Sequence, residues 1–466
     1  MPPAGSGSVI VVGGGNAGIC AAISARRAGA DVRLIERNTQ VLRGGNSRHT
    51  RDIRYAHAQP DRFSNETYPP DELLADLRGV ADERSDTQLA AILARRSVEL
   101  PDWMSEQGVA WQDTLHGALH LSRTNAFFLG GGRALLNTYY DTAEKLGVRI
   151  AYETDMVALK MNGSRCIGLV TRHAGREVDV SGGAFVMAAG GIEANLAWLH
   201  EAWGEAADNF IIRGSPANDG TVLLELLRNG AAPAGDGRNF HSVGVDARSP
   251  RFDGGIVTRV DAVPYGIAIN LEGRRFHDEG ETSWPKRYAI WGKLIAGQPD
   301  QAAWVIFDEL TRPLFIPPLY PPVQAATIAE LAESLQLPVD AVVATVTQFN
   351  EAPRAPATFD PGTLDGLATQ GLEPRKSNWA VTIDHPPFYA YPLRPGITFT
   401  YFGVKVDETT RVHRDEGSFD NVFAAGELMA GNILTKGYLA GVGLTIGTVF
   451  GRIAGEEAAR AARRSA

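Results

Sequence analysis

Cysteine is nearly missing: the 466 residues hold two, Cys20 and Cys166. That excludes a disulfide-stapled secreted scaffold. With no CxxC and no iron–sulfur spacing, it also argues against an internal electron relay or a thiol sensor. Long apolar runs are missing too. The most apolar stretch, Tyr438 to Ala454, is broken by Gly441, Gly443, Gly447 and Gly451 and carries Arg452, so no membrane-spanning helix is expected. The N-terminus lacks the basic and apolar regions of a secretory signal and shows only a Pro/Gly/Ser lead over residues 1–8. Basic charge is in deficit, with 45 Lys and Arg against 54 Asp and Glu and a formal net charge of −9. Nucleic-acid binding through a bulk positive field is thereby excluded. No internal repeat or metal-ligand cluster stands out, and a cytoplasmic location is expected.

Glycine, at 51 residues, is abundant and clustered. Apolar residues make up 44% and charged residues 21% of the chain, a globular composition too long for one core. The opening reads strand (9–12), glycine turn (13–18), helix (19–28) and strand (31–36), a tight βαβ unit. Helices are predicted over 71–107, 133–146, 326–349 and 444–454, and a strand over 303–308. Residues 236–261 turn rich in Gly, Arg and Pro, and 350–387 read as Pro-rich loops. The fold class expected is α/β with an α+β cap. A Rossmann-like nucleotide-binding domain would be made from residues 1–235 and 389–466, with a cap domain inserted at 236–388.

The spacing Gly13-x-Gly15-x-x-Gly18 after a strand, with Glu36 at the end of the next, is a dinucleotide fingerprint. The first glycine makes the turn and the second admits the pyrophosphate to backbone N–H groups. The third lets helix and strand close up, and the carboxylate takes ribose hydroxyls. Asn16 and Ala17 lie inside the same turn. Further glycine motifs favour FAD over NAD: Gly44-Gly45-Asn46-Ser47, Gly130 to Gly132, Ala189-Gly190-Gly191, Gly426-Glu427 and Gly441 to Gly447. The last precedes a helix whose N-terminal dipole can face a reduced flavin.

Three longer segments, GGNSRHTRD (44–52), RRFHDEGETSWPKRYAIWG (274–292) and the glycine-rich stretch 424–455, carry a resemblance. They resemble the flavoprotein family of fumarate reductase, succinate dehydrogenase and 3-ketosteroid Δ1-dehydrogenase, and within it the FAD-dependent tricarballylate dehydrogenases. The resemblance implies a cap closing over the substrate and hydride transfer between flavin and a carbon next to an activating group. It also implies electron exchange with a separate acceptor, a membrane iron–sulfur/haem protein. It places Gly13, Gly15, Gly18, Glu36 and Arg37 at the ADP half, and Asn46 and Ser47 near the pyrophosphate and ring. Gly190 and Asp219 fall in cofactor-contacting segments, Glu427 at the ribityl chain, and Gly441, Gly443, Leu444 and Thr445 at the ring. The position of the flavin-linked histidine of the membrane enzymes matches Asn46, which implies non-covalent FAD. The carboxylate-gripping His-Thr of fumarate reductases is replaced by Phe399-Thr400, and their final arginine by Tyr438, so fumarate itself is disfavoured.

Oxidation of a polycarboxylate such as tricarballylate to cis-aconitate needs a cationic clamp, a base for the α-proton and a flavin for the β-hydride. The candidates are Arg287 (base or clamp), Lys286, His241, Arg394, Lys436, Tyr438 and Thr400. Arg274, Arg275, His277, Lys286 and Arg287 make the cap basic, against a steroid site, although Tyr438 resembles a ketone-polarising tyrosine. An electron-relay or redox-sensing flavoprotein is the third reading. Asp278 and Glu279 are expected to pair with cap arginines.

Overall fold

The computed structural model describes residues 7–64, 66–113 and 123–464. Most of the Pro/Gly/Ser lead lies outside these residues. The apolar run Ser8–Val12 is a fully buried strand at the centre of a six-stranded sheet. Its neighbours Asp31–Ile35 and Ala184–Met187 are both parallel to it, and Ser418–Ala424 and Arg149–Ala151 extend the parallel order outward. Continuous Val and Ile suit a strand covered on both faces. The first helix, Asn16–Arg27, lies on this sheet against the last, Val442–Arg464.

A second sheet is built around one long strand, Phe388–Val404. It pairs with Pro233–Asp246, Ala303–Asp308 and Val323–Ala325 in antiparallel fashion and with Ile211–Ile212 in parallel. Residues 389–404, expected to rejoin the nucleotide-binding part, are therefore hydrogen-bonded in this sheet. The chain re-enters the first sheet only at Arg411–His413 and Ser418–Ala424. Both sheets run into one continuous core. A three-stranded antiparallel sheet spans Thr154–Ser181.

Most predicted elements form, with sharper limits. The 71–107 segment divides into Pro70–Gly79, Thr87–Arg96 and Leu100–Glu106, and Asp86 caps the second through Gln88 N and Leu89 N. The 303–308 strand forms as predicted. The 326–349 segment becomes Ile328–Ser334, opened by a Thr327/Glu330 capping box, and Val339–Glu351.

Candidate functional site

The central strand Ser8–Val12 has neighbours of opposite connection on its two sides, so a crevice opens at its C-terminal end. Gly13 turns the chain there at φ +99°; a Cβ would sit 2.4 Å from Ala188 O. A Cβ on Gly18 would lie 1.8 Å from Gly13 O. Gly18 therefore serves the approach of helix to strand rather than the crevice wall. At Gly15 the nearest atom to such a Cβ is 3.6 Å away, and this glycine faces the opening. Asn16 N donates to Ser47 Oγ at 3.1 Å. Glu36 accepts from Gly14 N at 3.1 Å and Asn38 N at 2.8 Å, and burial raises its pKa. Arg37 pairs with Asp219 and Asp155, each at 3.0 Å.

A cavity of about 350 Å³ runs from this turn toward the second sheet. Gly13, Gly15, Asn16, Ala17, Glu36, Arg37, Gly44, Gly45, Asn46, Ser47, Ala189, Gly190, Gly191, Asp219, Gly426, Glu427, Gly441, Gly443 and Leu444 all line it. Thr445 does not: its Oγ1 donates to Arg54 O at 2.5 Å and it is fully buried in the helix packing. Glu427 forms a carboxyl pair with Glu193, which no motif marked. Glu427 accepts from Thr400 N at 2.7 Å and Thr400 Oγ1 at 3.1 Å, and Glu193 accepts from Asn46 and Asn218. The two carboxyls are close neighbours and raise each other's cost of ionisation. Burial, then the charge of Glu193, pushes Glu427 well above the carboxylate range. The pair therefore keeps a proton.

At the far end three guanidiniums, Arg51, Arg213 and Arg259, line the same cavity with His241, Tyr288, Phe399 and Tyr438. Arg259 pairs with Asp261 at 2.7 Å, and Arg51 reaches Asp52 at 3.4 Å and Asp261 at 3.8 Å. Arg213 has no ion pair among the described residues. Its Nη2 donates to Thr398 Oγ1 at 2.9 Å, while Nε and Nη1 are buried without a partner. Burial, then the nearby Arg259, pushes its pKa down to about 10. His241 Nδ1 lies 2.8 Å from Thr398 Oγ1 and Nε2 lies 2.9 Å from Tyr288 Oη. Burial, with Arg213 and Arg259 adding, holds this imidazole well below its ordinary pKa. The pairing of Pro233–Asp246 with the long strand slips by one residue here: His241 faces Phe399 and Ser242 faces Ile397, so Thr398 is the extra residue of a bulge. A bulge re-aims side chains, and this one points Thr398 at both Arg213 and His241.

His241 and Tyr438 thus stand at the cavity, but the cap cations expected there do not. Arg287 pairs with Glu281, and Lys286 with Asp76 at 2.6 Å. Arg394 donates to Asp300 O, and Lys436 is exposed. Arg287, Lys286 and Arg394 each have a local acceptor outside the cavity, which satisfies the charge at lower desolvation cost. Thr400 lies behind the wall on Glu427. Glu279 pairs with Arg275 at 2.5 Å, as the cap reading expected. Arg213, Arg259, Arg51 and Tyr288 were missed, since only the sheet pairing gathers them; the orphaned charge of Arg213 has no sequence signal.

The model of a family described as FAD binding domain matches residues 8–444. A probable fumarate reductase of Shewanella frigidimarina is 24% identical over 98% of this chain and 76% of its own length. An NADH:fumarate oxidoreductase of Klebsiella pneumoniae is 25% identical over 98% of this chain, which spans only 48% of that protein. Among solved structures, a 3-ketosteroid-Δ4-(5α)-dehydrogenase from Rhodococcus jostii in complex with 4-androstene-3,17-dione superposes with a TM-score of 0.72. It is 23% identical and covers 97% of this chain and 96% of its own.

Proposed function

The chain belongs to the FAD binding domain family, and we propose that it is an oxidoreductase that forms or removes a carbon–carbon double bond beside a carboxylate. Its substrate class is the small polycarboxylates, with tricarballylate and cis-aconitate as the couple. The FAD, when bound, supplies a two-electron acceptor or donor of hydride. The residues fit that cofactor: an open glycine turn at a helix N-terminus, a buried carboxylate at Glu36, and polar groups along the rest of the cavity. We assign Glu36 to the ribose, Gly13 to Gly15 with Ser47 to the pyrophosphate, Glu427 to the ribityl hydroxyls, and Gly441 and Gly443 to the ring. We also place the FAD as non-covalent, because Asn46 occupies the linkage position and its amide is engaged by Glu193, Thr398 O and Ser215 N.

One observation carries the carboxylate: the buried Arg213, with two guanidinium nitrogens unpartnered in the cavity wall. A buried cation without an acid is expensive unless a ligand supplies the anion, and a planar fork suits a carboxylate. Named relatives point the same way, since two act on fumarate. Electrons leave to a separate carrier of the iron–sulfur or haem class, because two cysteines cannot ligate a cluster unaided. No helix of the described residues is long and apolar enough to cross a membrane, and we place the protein in the cytoplasm.

A second reading, a neutral ketone, is favoured by Tyr438, whose Oη accepts from Gly443 N at 2.9 Å at the same cavity. An anaerobic screen of the FAD-loaded protein separates the two. Tricarballylate or succinate should bleach the flavin absorbance; bleaching by a 3-ketosteroid and by no acid sinks the carboxylate reading.

A further inference from the structure

Tyr288 lies within the cap stretch 274–292, yet its hydroxyl stands in the wall beside the unpaired guanidinium. We infer that Tyr288 is the proton donor to the carbon next to the substrate carboxylate when the double bond is reduced. This rests on the oxidoreductase reading above and adds the proton-transfer residue to it.

One arrangement of the hydrogen bonds leaves the Tyr288 hydroxyl free to donate into the cavity. Arg213 can only donate, so Thr398 Oγ1 accepts from Nη2. Among the described contacts the one remaining acceptor for the Thr398 hydroxyl hydrogen is His241 Nδ1, at 2.8 Å. A neutral imidazole that accepts at Nδ1 carries its hydrogen on Nε2. Burial, with Arg213 and Arg259 adding, keeps it neutral. His241 Nε2–H then donates to Tyr288 Oη at 2.9 Å. The Tyr288 hydrogen is left with no acceptor among the described residues, and the side chain borders the cavity. This tautomer is part of the inference: the other, with Nδ1–H donating to Thr398 Oγ1 and the Tyr288 hydroxyl donating to Nε2, fits the same two distances. Burial pushes the Tyr288 pKa up to about 12, which keeps the hydroxyl protonated, while the Arg259 guanidinium 4.6 Å over its ring offsets part of the cost of the phenolate.

In the reductive direction bound FAD would supply a hydride to the β-carbon, its two electrons coming from a separate reduced carrier and its proton from solvent. The π pair of the double bond takes the Tyr288 proton at the α-carbon. The O–H bonding pair stays on oxygen as phenolate, held by His241 Nε2–H beside Arg259. Solvent water returns the proton before the next turnover. In the oxidative direction the same oxygen takes the α-proton. His241 and Thr398 are positioning residues: they aim the hydroxyl and touch no reacting atom.

The test uses the FAD-loaded protein with reduced methyl viologen as donor and cis-aconitate, fumarate or 1,4-androstadiene-3,17-dione as oxidant. In D2O the product should carry solvent deuterium at both carbons of the former double bond, because the hydride's hydrogen also comes from solvent. Tyr288→Phe should lower kcat by ~10²-fold or more. Calorimetric binding of tricarballylate, with and without FAD, should stay within about twofold of the wild type. His241→Gln, whose amide can replace Nε2–H, should keep more of kcat than His241→Leu, with equal tricarballylate binding in the two. An unchanged kcat in Tyr288→Phe overturns the assignment. So does a loss of tricarballylate affinity that matches the loss of turnover, which would make the hydroxyl a binding group. The reverse ranking of the two His241 variants does the same. Reduction of the dione alone removes the carboxylate while Tyr288→Phe still decides the donor. If the wild type reduces none of the three, the oxidoreductase reading falls and the donor falls with it.

Discussion

At the scale of single residues, Arg213 sets binding against stability. Its charge is desolvated, and its neighbour Arg259 repels it. Arg213→Met fills similar volume without the charge. Its ligand-free melting temperature should therefore equal or exceed that of the wild type. Tricarballylate binding should weaken by ~2–5 kcal/mol, with FAD retained. Scanning calorimetry and titration calorimetry on the same sample check both halves; a variant that melts lower and binds unchanged removes Arg213 from the clamp. His241 gives a pH signature of definite sign. Its folded pKa lies well below the ordinary 6.5, so the unfolded chain binds a proton that the native state refuses. Stability is then complete above about pH 6.5 and falls as the pH drops below it. His49 and His57, also lowered by burial, contribute in the same direction. The slope of unfolding free energy between pH 7 and 5.5 should be smaller in His241→Gln than in the wild type, and equal slopes would contradict the buried neutral imidazole.

Among the elements, the first and last helices show what the glycines of the C-terminal stretch are for. A Cβ on Gly451 would lie 2.4 Å from Ala17 O, and one on Gly455 2.2 Å from Ala21 O. Gly447 meets Asn16 in the same way, while Asn16 Nδ2 reaches across to Leu444 O at 3.1 Å and Thr448 Oγ1 at 3.0 Å. Gly451→Ala should destabilise by ~1–3 kcal/mol despite its better helix propensity, because backbone has to move. Gly79 has nothing within 4 Å and an ordinary φ, and Gly79→Ala should stabilise by ~0.4–1 kcal/mol. Urea melts of both variants check the pair. These helices also mark what could be read in advance. The turn Gly13–Gly18 and Glu36 are a local pattern whose chemistry is fixed by a few residues on either side. The cavity's other end is not local. His241, Arg213 and Thr398 meet only through the pairing of strands more than 150 residues apart and a one-residue slip in that pairing. The cap cations misled for a related reason: charge clustered in sequence at 274–287 is neutralised by neighbours such as Glu279 and Glu281, which sit in the same stretch. Glu193 hid beside the Gly190-Gly191 turn, since a lone acid there has no spacing to announce it.

Taken as a whole molecule, the cavity joins the parallel sheet to the second sheet, and the cofactor is expected to behave as a ligand that holds them in one arrangement. Acid precipitation should release intact FAD, and flavin fluorescence left on the denatured chain would point to His49, which also borders the cavity. Added FAD should raise the melting temperature by mass action, ~2.7 kcal/mol at a hundredfold excess over Kd. Glu36→Ala should lose ~1–3 kcal/mol of that affinity through unpaired polar groups, measured as the Kd from flavin fluorescence quenching. The seat of the first helix against the last has a consequence during synthesis. The glycine turn is made within the first twenty residues, yet its helix has no partner until Gly447 to Gly455 have been added. At ~5–20 residues per second the ribosome needs roughly 20–90 s to cover that interval. Throughout it the nascent chain carries an exposed small-residue helix face and an incomplete dinucleotide cradle, so loading of the flavin belongs to the finished polypeptide and the early sheet is a natural client for chaperones.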